Sequence, residues 1–146
     1  MAAGSGLLFV LAGSAAAVAG LVGLNAMVGG WTPARVDSLD EAVERLAEDL
    51  VGFEPGEGVL AADGRAALVL DRDAPRLGLV IARRDRLVCR GLKAGDIASV
   101  AADARDSTSL DLRLTDYTLP QVRVRLSDSA EAEAWLTRLR PFARTA

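Results

Sequence analysis

The chain has 146 residues and a formal charge of −3, with 17 basic and 20 acidic side chains and no histidine. This balance argues against a general nucleic-acid binder, whose basic face would normally be supported by net positive charge. Without histidine there is no Ser-His-Asp or Cys-His catalysis, no His-containing zinc site and no near-neutral proton shuttle, and the single Cys89 permits no internal disulfide.

No charged side chain precedes Arg35. Residues 7–28 within this stretch form an apolar run which, at ~1.5 Å per helical residue, matches the ~30 Å hydrocarbon core of a bilayer. Three readings compete for it. An uncleaved transmembrane anchor fits the length and puts Trp31 at the lipid-water interface. A cleaved signal peptide draws on Ala17-Val18-Ala19 as a small-x-small site, but no Lys or Arg stands ahead of it and the run continues from Leu21 to Val28. A buried core helix is the third, because Gly13, Gly20, Gly23 and Asn25 dilute the hydrophobicity. Ala16 and Gly20, like Ala19 and Gly23, are four residues apart and offer one face to a second helix, with Asn25 able to hydrogen-bond across. General Ala enrichment accounts for the same stripe. Arg35 and Arg45 follow the run while only the terminal amine precedes it, so the positive-inside rule puts the following domain in the cytoplasm, at the inner cell membrane.

Beyond the anchor roughly 110 residues remain, enough for one core. Thr32-Pro33-Ala34 breaks the first helix. Ser38, with Glu41 three positions later, opens another over residues 39–51, whose apolar stripe Leu39, Ala42, Val43, Leu46, Ala47, Leu50 and Val51 opposes an acidic face. Gly52 closes it. The glycines at 52, 56 and 58 have roughly the spacing of a phosphate loop, but here a helix precedes and a strand follows, so they read as a connection.

From residue 58 the period shortens. Strands are expected at 58–62 and 66–71 around the Asp63-Gly64 turn, then at 76–82, 86–92, 96–102, 110–116 and 121–127. Leu110, Leu112 and Leu114 alternate with Asp111, Arg113 and Thr115, and Val122, Val124 and Leu126 with Arg123 and Arg125, the pattern of sheet wetted on one side. Ala132, Trp135, Leu136, Leu139 and Phe142 then form a helical stripe closed near Pro141.

Seven short strands in meander order, followed by an amphipathic helix carrying Trp135, resemble the pleckstrin-homology-like superfold. Ala67-Leu68-Val69-Leu70-Asp71, Leu79-Val80-Ile81 and Asp96-Ile97-Ala98-Ser99-Val100 are similar to small bacterial membrane-associated members. The resemblance covers about residues 58–142 and implies a barrel or bent sheet plugged by the last helix, with binding or scaffolding as its task. Eukaryotic relatives that bind phosphoinositides carry Lys and Arg in the first hairpin, where this chain offers only Asp63-Gly64-Arg65.

The expected class is therefore α+β, mainly β: an anchor and junction at 1–34, an amphipathic linker helix and loop at 35–57, and the β domain with its C-terminal helix at 58–146. Arg83, Arg84 and Arg86, with Arg76 and Arg90 on adjoining strands, form the densest basic patch and the candidate contact for lipid or partner; a solvated hairpin tip is the plainer reading. Asp71-Arg72-Asp73 and the aspartates at 103 and 106 lack the regular ligand spacing of a calcium loop and read as turns, and Cys89 reads as a buried thiol. No catalytic residue, metal or cofactor is expected. A tethered binding domain that recruits a protein partner, or a second copy through Ala16, Gly20 and Gly23, leads the functional readings. A lipid-surface sensor and a secreted or periplasmic domain are the alternatives.

Overall fold

The computed structural model describes residues 2–28 and 32–144. They divide into two units, Met1–Thr32 and Pro33–Ala146.

The first unit is one helix, α1 (Ala2–Val28), of 27 residues without a charged side chain. Its Ser14 hydroxyl donates to the Val10 carbonyl at 2.9 Å, which satisfies the only side-chain hydroxyl in the middle of the apolar run. Phe9, Val10, Leu11, Val18 and Leu21 are all exposed. Among the described residues no helix is long and apolar enough to cross a membrane. The expected span at 7–28 extends over side chains outside the described set, as do the expectations for Trp31 and the Asn25 side chain.

The second unit begins with an arm, residues 33–38, leading into α2 (Leu39–Asp49). Ser38 Oγ accepts from the Glu41 amide at 3.1 Å, and Glu41 Oε2 accepts from the Asp37 amide at 3.0 Å, so two first-turn donors are satisfied reciprocally. The helix stops two residues short of the expected end; Leu50 is extended, and Gly52 reverses the chain at φ 71°.

Seven antiparallel strands follow as two meanders. The first sheet has the order β1 (Pro55–Leu60), β2 (Ala66–Asp71), β3 (Arg76–Arg83), β4 (Arg86–Lys93); the second has β5 (Ile97–Ala102), β6 (Ser109–Leu114), β7 (Gln121–Arg125). Neither sheet closes on itself, so of the two expected forms, barrel or bent sheet, the closed barrel is not formed. The chain ends in α3 (Ser129–Leu139), capped by Asp128, and a short 3-10 turn Arg140–Phe142. The tail then lies parallel to the start of β5, where the Arg144 amide donates to the Ile97 carbonyl at 2.8 Å.

β1 starts three residues earlier than expected. Pro55, which donates no ladder hydrogen bond, takes the first position of this edge strand, and a bulge separates it from Gly58. Gly56 is required because a Cβ there would stand 2.9 Å from the Leu70 carbonyl.

Two cores share the first sheet. Leu68, Leu77, Leu79 and Leu92 face the second sheet, where Leu110, Leu112, Val122 and Val124 meet them and Trp135 and Leu139 of α3 fill the opening. Ala67, Val69 and Val80 face the other way and are covered by Val36, Ala42, Leu46 and Phe53. Burial on both faces explains the near-continuous apolar runs of β2 and β3. The helix expected as a linker is thus packed on the outer face of the sheet and belongs to the folded unit. Contact is close: a Cβ on Gly78 would meet Leu46 Cδ1 at 2.7 Å and Phe53 Cζ at 2.9 Å.

Candidate interaction surface at the hairpin end

β3 and β4 are joined by the two-residue turn Arg84-Asp85, with Arg83 paired to Arg86. Arg84 has φ 56°, a left-handed backbone in which Gly or Asn is favoured. The five candidate arginines do not form one patch. Arg76 lies at the far end of β3, where Nε and Nη2 donate to Asp71 Oδ2 at 3.3 and 3.2 Å, Nη1 donates to the Val51 carbonyl, and the guanidinium lies 5.3 Å from the Phe53 ring centre. Asp71 is itself fixed: burial raises its pKa, but the amides of Asp73 and Ala74 and the Arg76 guanidinium outweigh this and hold it below the usual carboxylate range. This ion pair organises the β2–β3 turn.

Arg90 is also paired. Its Nε donates to Asp116 Oδ2 at 3.1 Å, and Asp116 is held below its ordinary pKa first by the Thr118 hydroxyl and amide, then by Arg90. Arg83 Nη1 donates to the Thr118 carbonyl at 2.8 Å, so both arginines tie the β6–β7 loop to the β3–β4 hairpin. Arg84 and Arg86 remain exposed at the tip, Arg86 touching only Asp85 at 3.8 Å. Sequence neighbours gave no sign of this division, because the partner Asp116 is 26 residues from Arg90.

The hairpin end holds features that sequence reasoning did not single out. Tyr117, at the tip of the β6–β7 loop, is 99% exposed. The arm crosses here too: the Ala34 amide donates to the Arg84 carbonyl at 2.7 Å and the Val36 amide to the Gly64 carbonyl at 2.8 Å, with the Val36 side chain buried in the outer core. Gly64 has φ 69°, a left-handed backbone that favours glycine, and lies against the Arg35 side chain and the Val36 carbonyl. Beside it an open groove of about 460 Å³ runs between Arg65 of the β1–β2 turn, Arg83, and Leu119 to Val122 at the start of β7. Its floor is the buried apolar group Ile81, Leu119 and Val122, with Asp63, Arg65 and Gln121 on the rim.

Other candidates resolve into local structure. Asp103, Asp106 and Asp111 take part in ion pairs with Arg123 and Arg125, and Asp106 caps its turn through Thr108 and Ser109. Among the described residues no group of three or more acidic, Cys or His side chains is placed to hold a metal ion. Cys89 faces α2, where burial and then Asp49 push its thiol up to about 11. Comparison with protein-family models, curated proteins and solved structures finds no match to this chain.

Proposed function

We propose that this protein is a single-pass, membrane-tethered domain of pleckstrin-homology-like architecture, non-catalytic, that presents a binding surface to a protein partner at the cytoplasmic face of the inner membrane. The observation that carries the reading is the contrast between its two units. The second buries most of its large apolar residues in two cores, Val51 and Tyr117 being the exposed ones, whereas α1, uncharged throughout, leaves Phe9 79%, Val10 66% and Leu21 73% exposed. Burying a Leu or Phe side chain is worth about 1.5–3 kcal/mol, so a helix that exposes several favours an apolar environment. The sequence of four strands, three strands and an amphipathic C-terminal helix supports the pleckstrin-homology-like reading. The groove beside Arg65 and Gln121, apolar in its floor and polar at its rim, supports a partner contact at this end of the domain.

A second reading, an anionic-lipid sensor, is supported by the exposure of Arg84 and Arg86. A photo-crosslinking residue at Gln121 in full-length protein, illuminated in intact membranes, separates the two. A discrete protein adduct, absent when the crosslinker is moved to Asp73, supports recruitment; adducts with lipid alone contradict it.

A further inference from the structure

We infer that the Arg84-Asp85-Arg86 tip, together with Tyr117, docks onto the anionic headgroups of the bilayer in which α1 is anchored. The inference rests on the tether reading above. The entry of the chain into the domain makes the first argument. Ala34 is hydrogen-bonded to Arg84 itself, and Val36 to Gly64, so the arm fixes the chain's entry to the hairpin end. The opposite end, at the β2–β3 turn, is separated from this one by the eight residues of β3, about 25 Å.

Chemistry makes the second. Arg76, Arg83 and Arg90 have partners on other strands or loops of the domain, whereas Arg84 and Arg86 are exposed at the tip, where Arg86 meets only the equally exposed Asp85 of its own turn at 3.8 Å. Arg84 occupies a left-handed turn position where Gly would relieve the backbone. Tyr117, fully exposed on the loop that Arg83 and Arg90 bind, has the amphipathic ring favoured at headgroup depth. A phospholipid surface, broad and negatively charged, fits two separated arginines and an unburied tyrosine better than a single small anion does.

The test uses full-length protein with Cys89→Ser, labelled with an environment-sensitive fluorophore at Tyr117→Cys or, for comparison, at Asp73→Cys, in vesicles carrying a headgroup-level quencher. In phosphatidylserine-rich vesicles the label at 117 is expected to be quenched and that at 73 is not; in pure phosphatidylcholine neither is. Replacing Arg84 by Gly, which suits the positive φ, and Arg86 by Ala is expected to weaken docking about fivefold per arginine. An unchanged urea midpoint shows that this variant is still folded. Equal quenching at both positions, or quenching indifferent to the two arginines, overturns the inference while the chain stays with the vesicles on flotation. A chain that does not float with vesicles at all overturns the tether reading and this inference with it.

Discussion

Asp106 shows how one side chain sets a turn and how that is measured. It accepts from the Thr108 hydroxyl at 2.6 Å, the Ser109 hydroxyl at 2.7 Å and the Thr108 amide at 3.0 Å, which lower its pKa from the ordinary 3.8 to about 2. A carboxyl whose folded pKa is depressed stabilises the fold above its unfolded pKa and ceases to do so as pH falls through the folded value. The stabilisation is therefore complete above pH ~5 and fades between pH ~4 and ~2. Asp106→Asn is expected to lower the urea midpoint at neutral pH and to converge on the parent protein as pH falls over that window. A constant gap at all pH values contradicts the assignment. Asp71 was legible in sequence as a turn residue beside Arg72 and Asp73, but its ion pair with Arg76 was not, because Arg76 read as part of a surface patch.

At the scale of elements, the strands were readable where one face is wet. β6 and β7 alternate strictly, and they lie where the sequence places them to within two residues at each end. The start of α2 was readable for a local reason too: Ser38 accepts from the amide three residues on, and Asp128 does the same at the start of α3, where the sequence reading named no cap. The start of β1 was hidden because Pro55, Gly56 and Glu57 offer no apolar period, only a steric demand visible in three dimensions. The placement of α2 was also hidden, since an amphipathic stripe tells that a face is buried but not what covers it. Gly78 is the contact point. Gly78→Ala would press a methyl group against Leu46, which is fully buried, and against Phe53, so the variant is expected to lose about 1–3 kcal/mol in equilibrium unfolding. A neutral effect would mean that α2 is only loosely associated with the sheet.

For the whole molecule, the division into an uncharged helix and a charged domain was announced by charge, because every basic and acidic side chain lies from Arg35 onward, whereas the two cores of that domain were not. The candidate surface was half legible: the β3–β4 arginines were named, whereas the Thr118 and Asp116 contacts that occupy two of them, Arg83 and Arg90, the exposed Tyr117 and the arm over Gly64 arise only from folding. The proposed tether requires α1 to lie in a bilayer. The most direct measurement is alkaline carbonate extraction of membranes from cells making the full-length protein and, in parallel, a chain without residues 2–28. The full chain is expected to stay in the membrane pellet and the truncated chain to be absent from it; release of the full chain into the supernatant would contradict the tether.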